Sequence, residues 1–439
     1  MNSFLPEKIR EELIRYSFVS TGYSSPNPPV ACVLEDANTG EILASASTQK
    51  TGQNHAEREA YRLFREKFPN GKKPSHNAYV TLEPCSHYGK TPPCIDLFLE
   101  EKPVRLEYGW KDPNPLVSTH SGLNKLAEIG IQVFENPELA EIASGFLFGF
   151  KSRIERKRPA LLLKTSLSKE GYFSSGEGLR EKISSLESDI FLSMIRAKVD
   201  AILVGPNTVK VDEPGLDFRI PSALPQLAPK ILYGPENSGI HQNVNTNLNA
   251  AADQSFGRNS YKGFSGLVAA VLEHSTDPDI FQIHKEKEKD YQPLRVFFLP
   301  EQNSVSENFL EKQDRINDRI GKKNAAFFMD EKKTYDASFV GKLETLSKFS
   351  LEKVDYSDVS RIFEVLYFWE INTALVEGGN FLYRLFSPAL IDDDAILEIQ
   401  SNTVSFPKGI LPEWTGKFSM EWKTELGSDL WGVGRCSQD

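Results

Sequence analysis

The chain has 439 residues, of which 39% are hydrophobic and 26% are charged. This length and composition are typical of a globular protein with two or three domains, each large enough to bury a core. The formal net charge is −10, which excludes a general electrostatic attraction for nucleic acid or anionic membranes. A small anionic substrate would therefore need basic groups placed locally.

Four cysteines are too few for a disulfide scaffold in a chain of this length. Two of them, Cys85 and Cys94, lie close together in a proline-rich loop, which indicates a metal or catalytic role in a reducing compartment. The N-terminal residues form an acidic amphipathic pattern that differs from a signal peptide, and no apolar run of about eighteen residues is present. We therefore expect a cytoplasmic location and no membrane span.

The first 150 residues show strand patterns alternating with helical ones, which predicts a sheet covered by helices. The predicted elements in chain order are a helix at residues 6–20, strands at 30–34 and 41–46, a helix at 55–68, a strand at 78–82, a helix at 95–99 and a strand at 104–108. The strand at 78–82 runs into a turn-rich loop. The basic segment 151–159 is predicted to be a solvated linker or surface turn.

A second α/β block follows this segment. Its predicted elements are a strand at 160–163, a helix at 184–197, strands at 200–204, 295–299 and 325–329, a helix at 359–371, and a strand at 374–376 that leads into another helix. The alternation is typical of a nucleotide-binding α/β domain. Residues 236–265 are rich in Asn, Ser and Gly, and we predict a mobile loop or insertion there.

The first block contains a set of residues typical of a catalytic zinc site. Such a site needs three protein ligands and an open position for water, which His55, Cys85 and Cys94 can supply. The metal lowers the pKa of its water to about 7, and a neighbouring carboxylate must then shuttle protons. Glu57, two residues after His55, is the predicted catalytic group. His-x-Glu followed by Pro-Cys is the zinc-deaminase signature, although its usual Cys-x-x-Cys spacing is here much longer.

Other interpretations of these residues remain open. The two cysteines could be inert, or the zinc site could be structural and closed by a fourth ligand, for which His87 is near enough in sequence. We favour His87 as a loop residue near the substrate. Cys32 lies in an apolar strand and is expected to be a small core residue.

The run TLEPCSHYGKTPPC at residues 81–94, with PNPPV at 26–30 and DPNP at 112–115, resembles the deaminase domain of the bifunctional riboflavin-biosynthesis deaminase/reductases. The resemblance covers roughly residues 5–150 and implies a cytidine-deaminase-like α/β/α domain at residues 1–150 that acts on a pyrimidine. It also implies that Asn27 binds the substrate. Ala31 stands where the family usually has Gly, and residues 118–121 replace a Gly-containing stretch, but neither departure touches the metal ligands.

The second block has weaker signals. Gly378 and Gly379 after a strand are, taken alone, equally compatible with a cofactor site and a simple turn. Three runs, however, resemble the reductase domain of the same family, namely KTSLSKEG at 164–171, GPNTVKVDEP at 205–214 and VEGG at 376–379. They imply a dihydrofolate-reductase-like α/β domain at residues 159–439 that uses NADPH.

This resemblance assigns two groups of residues in the second block. The implied substrate-binding residues are Arg196, Leu216, Arg219 and Glu377. The implied cofactor-binding residues are Ser166, Thr208, Asp212 and Gly379. Two forked guanidinium groups, those of Arg196 and Arg219, are suited to an anionic phosphate. The less favoured alternative for either arginine is a surface salt bridge.

Several positions depart from the family pattern. Lys169 and Glu170 stand where Leu-Asp is usual, and Gly178 and Arg180 replace a Ser and a Trp, which removes a ring contact with the cofactor. The segment between Arg219 and Glu377 is unusually long, and the family's APKxxG strand is not recognisable after residue 400. We therefore expect a retained reductase with altered or weakened cofactor binding.

Together the two halves resemble an enzyme that deaminates 2,5-diamino-6-(5-phosphoribosylamino)pyrimidin-4(3H)-one and then reduces the ribosyl group to ribityl with NADPH. The implied ligands are Zn²⁺, NADPH and a small phosphorylated pyrimidine, with no nucleic acid or membrane partner, and the family suggests a homo-oligomer. One alternative is a monofunctional deaminase whose second half is inactive or structural. A nucleic-acid deaminase is a second alternative, against which the net charge argues.

Overall fold

The structure is a computed structural model that describes residues 4–69, 73–88, 92–115, 121–220 and 262–436. The chain divides into two compact units. Unit 1 is Met1–Arg156 with Tyr261–Leu267, and unit 2 is Lys157–Ser260 with Val268–Asp439. Each unit has its own β-sheet with helices packed against it, so the predicted α/β class of both halves is confirmed.

Unit 1 is built on a five-stranded sheet. Its strands are β1 (Ala31–Asp36), β2 (Ile42–Ser47), β3 (His76–Leu82), β4 (Arg105–Trp110) and β5 (Gln132–Glu135). Their order in the sheet is β2-β1-β3-β4-β5. Strand β1 is antiparallel to both of its neighbours, whereas β3, β4 and β5 run parallel.

Among the described residues, six helices lie entirely within unit 1. They are α1 (Glu7–Ser20), α2 (Ala56–Lys67), α3 (Cys94–Glu101), α4 (Ser121–Glu128), α5 (Pro137–Phe146) and α6 (Phe148–Arg156). Helix α2 illustrates why they pack, because Ala56, Ala60 and Phe64 recur every four residues and are fully buried on one face. All seven elements predicted in this unit are present, with ends that differ by at most two residues.

The basic segment at residues 151–159 has a different structure from the one predicted. The prediction of a solvated linker at residues 151–159 is wrong over most of its length, because residues as far as Arg156 belong to α6. Phe148, Phe150 and Ser152 are buried and hold the helix in place. The two aromatic residues precede the basic segment, so the segment itself carried no helical signal. Helices α4 and α5 and strand β5 were also not predicted.

Unit 2 is built on a nine-stranded sheet. Its strands are β6 (Ala160–Leu167), β7 (Ala201–Val204), β8 (Leu294–Phe298), β9 (Ala325–Asp330), β10 (Glu352–Val354), β11 (Thr373–Glu377), β12 (Ala395–Ser401), β13 (Phe418–Leu426) and β14 (Asp429–Cys436). Their order is β10-β9-β8-β7-β11-β6-β12-β14-β13. In this order, every neighbouring pair from β10 through β6 to β12 is parallel. Strand β14 is antiparallel to both β12 and β13, which lie with it at one edge of the sheet.

The helices of unit 2 connect its parallel strands. They are α7 (Leu186–Arg196), α8 (Pro206–Asp212), α10 (Pro278–Glu286), α11 (Glu307–Ile320), α12 (Ala337–Leu346), α13 (Val359–Phe368) and α14 (Asn380–Phe386). Helix α9 (Gly263–His274) carries residues of both units. Strands β7 and β8 are buried at every position, as expected of parallel strands covered on both faces.

The topology of unit 2 brings the ends of β6 and β11 and the start of α8 to the carboxyl-terminal side of its sheet. Strands β6, β11 and β7 are parallel neighbours, so their carboxyl ends lie together. Glu377 at the end of β11 is in register with Lys164 of β6, and α8 begins directly after the β7 turn. Open parallel sheets bind their ligands outside these strand ends.

Two predictions for unit 2 need correction. The helix predicted at 359–371 ends at Phe368, because the backbone at Glu370 is left-handed with φ 60° and turns the chain into β11. Helices α8 and α10–α12 and strands β10 and β12–β14 were not predicted. The loop or insertion predicted at 236–265 lies outside the described residues except for its last four, where α9 begins. Within the described ranges, no helix is both long and apolar enough to cross a membrane.

Candidate zinc site and candidate reductase cavity

The three predicted metal ligands come from three elements of unit 1. His55 is the extended residue immediately before α2, Cys85 lies three residues beyond β3, and Cys94 is the first residue of α3. A backbone hydrogen bond of 3.2 Å from the Ile95 N–H to the Cys85 carbonyl closes the loop between the two cysteines. Both thiols are thereby presented to the imidazole.

The geometry of these three side chains fits a tetrahedral zinc ion. His55 Nδ1 lies 3.7 Å from Cys85 Sγ and 3.5 Å from Cys94 Sγ, and all three ligand atoms lie within 4.8 Å of one another. Ordinary Zn–N and Zn–S bond lengths at a tetrahedral angle place nitrogen and sulfur about 3.6 Å apart. Among the described residues, no fourth His, Cys, Asp or Glu joins this cluster.

The thiols are arranged so that one of them ionises easily. A hydrogen bond from the Cys94 side chain lowers the pKa of Cys85 to about 4, although burial opposes this shift. The Cys94 backbone N–H, 3.3 Å from Cys85 Sγ, adds to it. Metals bind cysteine as the thiolate, so the lowered pKa of Cys85 favours zinc ligation.

Glu57 lies in the first turn of α2, next to the ligand cluster. It is 4% exposed, and burial raises its pKa while the charge of His55 opposes the rise. A carboxyl group whose pKa moves toward neutrality can both accept a proton and return it. The structure therefore places the predicted catalytic carboxylate beside the predicted metal ligands.

Two further carboxyl groups are buried near this site. Glu83 accepts a hydrogen bond of 3.3 Å from the Asp112 backbone N–H. Burial raises the pKa of Asp112 to about 7, and the negative charges of Glu83, Cys85 and Glu57 add to the effect. The DPNP run therefore lies within electrostatic reach of the zinc site. Glu83 was not singled out in the sequence, although it stands two residues before Cys85.

Arg58 is a functional candidate that the sequence analysis missed. Its Nε donates to the Pro92 carbonyl at 3.1 Å, and its Nη2 donates to the Pro93 carbonyl at 2.9 Å. The side chain thus connects α2, which begins beside His55, to the loop that delivers Cys94. The sequence feature that could have indicated a role for Arg58 is its position directly after Glu57.

Three other residues of unit 1 had assignments from the sequence. His87 lies outside the ligand cluster, and its Nδ1 is buried without a hydrogen-bond partner among the described residues. Cys32 is fully buried in β1, in agreement with a core role. Asn27 lies two residues after Ser25, whose carbonyl accepts a hydrogen bond of 3.1 Å from the Thr51 hydroxyl, and Thr51 is four residues before His55. Substrate binding by Asn27 stays a prediction.

In unit 2, the predicted substrate residues Arg196 and Glu377 form a two-pronged ion pair. Arg196 Nε and Nη2 donate to the two Glu377 carboxylate oxygens, each at 2.6 Å. Burial opposes ionisation of Glu377, yet Arg196 holds its pKa below the ordinary value. Burial also lowers the pKa of Lys164, against the attraction of Glu377. Lys164, in register with Glu377 on the neighbouring strand, therefore interacts electrostatically with this pair, and the sequence analysis had given Lys164 no role.

Arg196 also lines a cavity of about 840 Å³. Leu216 and Arg219, two of the other predicted substrate residues, line the same cavity, whereas Glu377 is not among its lining residues. The backbone of the buried Leu216 has φ 61°, a left-handed conformation that costs a non-glycine residue on the order of 1 kcal/mol. Such strain persists where the surroundings impose it, and here it stands at a cavity wall.

Helix α11 supplies cavity residues that the sequence analysis missed. Lys312, Arg315 and Arg319 line the cavity opposite α7. They belong to the long segment between Arg219 and Glu377, where no family motif marked them. A helical pattern of cations at positions i, i+3 and i+7 was the signal available in the sequence.

The predicted cofactor residues lie at the strand ends and do not line this cavity. Ser166 is in β6, Thr208 and Asp212 lie one turn apart on α8, and Gly379 follows β11. The Ser166 Oγ is buried without a hydrogen-bond partner among the described residues, and a Cβ at Gly379 would lie 3.1 Å from the Phe173 ring. An unpartnered hydroxyl and a tight glycine at adjacent strand ends fit a bound dinucleotide.

These features define a class of protein, a two-unit α/β protein with a candidate metal site of His55, Cys85 and Cys94 in its first unit. The family described as "Cytidine and deoxycytidylate deaminase zinc-binding region" matches residues 9–109. The chain is also similar over its whole length to the solved structure of Acinetobacter baumannii RibD, with a TM-score of 0.68, 19% identity and 98% of both chains covered. The Thermotoga maritima deaminase/reductase gives a TM-score of 0.66 at 22% identity, again over 98% of both chains. These likenesses establish the fold of both units.

Curated relatives give the particular resemblance. The chain is 36% identical over 204 residues to the riboflavin biosynthesis protein RibD of Actinobacillus pleuropneumoniae, which covers 46% of this chain and 51% of that protein. It is 33% identical over 223 residues to RibD of Mycobacterium tuberculosis, covering 50% and 63%. The chain thus spans about half the length of the curated relatives it matches. The predicted resemblance to the bifunctional deaminase/reductases is confirmed.

Proposed function

We propose that this protein is a bifunctional enzyme of riboflavin biosynthesis. Unit 1 deaminates the diaminopyrimidine ribosyl phosphate to its uracil form, and unit 2 reduces the ribosyl group to ribityl with NADPH. The observation that carries the proposal is the convergence of His55, Cys85 and Cys94 at zinc-binding distances beside the buried Glu57.

The deaminase step follows from the residues around this cluster. A zinc ion held by His55, Cys85 and Cys94 would supply Lewis acidity and lower the pKa of a bound water to about 7. The Glu57 carboxylate accepts one proton from the attacking water and gives it to the ring nitrogen, and it then carries the second proton from the hydroxyl now on the ring carbon to the departing amine. The carbon thus exchanges its C–N bond for a C–O bond, with one water consumed and one ammonia released.

The surroundings favour a catalytic site over a closed structural one. A structural zinc site normally has four protein ligands, whereas three converge among the described residues. The unpartnered Nδ1 of His87 supports a contact between this loop and the substrate ring. Tight packing by Arg58 on the Cys94 loop supports a site whose geometry is fixed in advance.

The reductase step requires a hydride donor beside the sugar chain. Ser166, Thr208, Asp212 and Gly379 would hold NADPH across the ends of β6, β7 and β11. Arg196 lines the cavity and is paired with Glu377, and this pair together with the neighbouring Lys164 would offer charged groups to the sugar hydroxyls. The cavity and the complete sheet of unit 2 support this activity over the alternative of a monofunctional deaminase.

The remaining assignments belong to the same proposal. The partner is a small phosphorylated pyrimidine, and the net charge of −10 argues against a nucleic-acid substrate. The cytoplasmic location and the homo-oligomer implied by the family remain predictions.

A coupled assay on the zinc-loaded, full-length protein tests both activities. The diaminopyrimidine ribosyl phosphate is supplied, and ammonia release and NADPH oxidation are followed separately. We expect both to proceed. Ammonia release without NADPH oxidation would support the monofunctional alternative, and the absence of both would refute the proposed function.

A further inference from the structure

Two segments of unit 1 flank the candidate zinc site, and the first of them is residues 24–31. The Thr51 hydroxyl donates to a backbone carbonyl of this segment at 3.1 Å, and Thr51 stands four residues before His55. A backbone N–H at the other end of the segment donates to the Thr81 hydroxyl at 3.1 Å, and Thr81 stands four residues before Cys85. The first flank is therefore tied to the stretches of chain that carry two of the three predicted ligands.

The second flank is residues 110–115, directly after β4. The Glu83 N–H donates to the Trp110 carbonyl at 2.8 Å, and the Glu83 carboxylate accepts from the Asp112 N–H at 3.3 Å. Glu83 stands two residues before Cys85, and Asp112 is buried. The second flank is therefore also tied to the ligand-bearing chain, although it contains none of the predicted ligands.

Helix α6 reaches both flanks with two basic side chains. Arg153 Nη2 donates to the Pro26 carbonyl of the first flank at 3.4 Å. Lys151 Nζ lies 4.9 Å from the centroid of the Trp110 ring in the second flank, which is a cation–π contact. Two residues that are one position apart on a single helix thus connect segments that lie more than eighty residues apart in the sequence.

Close packing fixes the place of α6 in unit 1. A Cβ at Gly109 of β4 would lie 2.8 Å from the Leu139 carbonyl oxygen of α5, so only glycine allows these two elements to approach so closely. Helix α5 passes directly into α6, where the Lys151 N–H donates to the Leu147 carbonyl at 3.0 Å. Ser152 is fully buried between the two basic residues. The helix is therefore a rigid support, and its basic side chains start from fixed positions.

We propose that Lys151 and Arg153 are positioning residues that hold the two flanks beside the zinc site in the geometry that the pyrimidine substrate requires. This inference rests on the proposed function, since it names residues that prepare the deaminase site of unit 1. Asn27 directly follows the carbonyl that Arg153 binds, and Asp112 lies two residues after the ring that Lys151 covers. A site whose contact groups are fixed in advance loses less entropy when the substrate binds.

The two contacts differ in kind and can be broken separately. Lys151→Met keeps an apolar stem over the ring but removes the cation, whereas Lys151→Arg keeps the cation and should behave as wild type. Arg153→Met removes the donor to the first flank, whereas Arg153→Lys keeps a cationic donor. Arg156→Met is a matched control, because Arg156 is an exposed arginine on the same helix.

The test measures ammonia release by the zinc-loaded, full-length variants as a function of the diaminopyrimidine ribosyl phosphate concentration. Loss of either contact should raise the KM roughly two- to fivefold, and loss of both roughly tenfold, with kcat nearly unchanged. Zinc content, the thermal midpoint and NADPH oxidation with the deaminated substrate should stay at wild-type levels. An unchanged KM in the double variant would overturn the proposal. So would a fall in kcat at constant KM together with a lower thermal midpoint, which indicates a purely structural role.

Amide hydrogen exchange on the same proteins needs no turnover and separates this inference from the proposed function. Lys151→Met should speed exchange in residues 110–115 and Arg153→Met in residues 24–31, whereas Arg156→Met should change neither. If these local changes occur but the wild-type protein releases no ammonia, the hold on the flanks is confirmed and the proposed function fails. If the wild-type protein releases ammonia while exchange and KM are the same in all variants, the proposed function stands and this inference fails.

Discussion

The candidate zinc site of unit 1 and the cavity of unit 2 hold their charged groups in different ways. In unit 1, His55 and two thiols lie within ligand distance of one another beside the buried Glu57, and a bound cation would balance their charge when both thiols ionise. In unit 2, the Arg196 and Glu377 side chains already neutralise each other. The first site therefore depends on a ligand for its charge balance, whereas the second is arranged before any ligand binds. Perturbations should accordingly stop chemistry in unit 1 and change stability or affinity in unit 2.

Removal of zinc should have the largest effect. Chelation takes away the group that activates water, so ammonia release should stop, while NADPH oxidation with the deaminated substrate should continue. Ammonia release and NADPH oxidation are measured before chelation, after it, and after zinc is restored. Equal loss of both activities would show that the two sites are not independent.

Glu57→Gln tests the proton carrier without changing the metal ligands. Removing a general acid–base group costs about 10²–10⁴-fold, so ammonia release should fall by that factor. Zinc content, measured by atomic emission, should stay at the wild-type level. The idea fails if the variant keeps zinc and deaminates at an undiminished rate.

Arg196→Met tests how unit 2 arranges its own charges. The change leaves Glu377 largely buried without its partner, and the partial exposure of the pair, 24% and 13%, limits the cost to about 1–3 kcal/mol. Urea unfolding measures this loss. Arg361→Met, in a surface ion pair, should cost less than about 0.5 kcal/mol. Adding Glu377→Gln to Arg196→Met should restore part of the stability, and a purely additive loss would contradict the pairing.

Arg58→Met keeps the aliphatic stem but removes the bonds to the Pro92 and Pro93 carbonyls. Outer-shell groups around metals typically contribute about tenfold or more to affinity, so zinc should bind about tenfold more weakly. Competition with a chromophoric chelator measures this. Arg62→Met, on the same helix but bonded to Glu59 and Glu66, should leave zinc affinity unchanged.

Glu170→Gln should have the smallest effect, visible only in acid. The hydrogen bond from Ser405 lowers the pKa of Glu170 to about 2, with further bonds from the Phe406 N–H and Ser168. A depressed carboxyl pKa contributes stability above its ordinary value near 4.3, and this stability is lost as the pH falls toward 2. Wild type should therefore lose more thermal stability than the variant between pH 5 and pH 2. Parallel curves would rule out this contribution.

The sequence predicted unit 1 better than unit 2 for a physical reason. His55, Glu57, Cys85 and Cys94 lie within forty residues and have short-range spacing rules, so the pattern alone was sufficient to group them. The ion pair of Arg196 and Glu377 joins residues 181 positions apart, and only the register of β6, β7 and β11 brings them together. Residue types alone carry no information about such pairings.

The elements that were not predicted also depend on contacts beyond their own local sequence. Helix α6 was taken for a linker because Phe148 and Phe150 lie outside the basic segment. Helix α11 has an amphipathic pattern, but its position depends on Arg295, a charged residue that donates hydrogen bonds to two side chains of the helix and whose burial in β8 no local signal predicts. The hydrogen bonds from Arg58 to the Pro92 and Pro93 carbonyls likewise became visible only in the folded structure, because they join segments that are far apart in the sequence.

The strand order of unit 2 has a consequence for how the chain folds during synthesis. Strand β11 lies between β6 and β7, yet it is made about 170 residues after β7. The ribosome therefore releases β6 and β7 long before β11, and the edges of β6 and β7 that pair with β11 are unpaired during that time. Long-range pairing of this kind folds slowly and exposes edges that aggregate. Unit 1, whose sheet closes by residue 135, can fold first, and a chaperone should be needed mainly by the second half of the nascent chain.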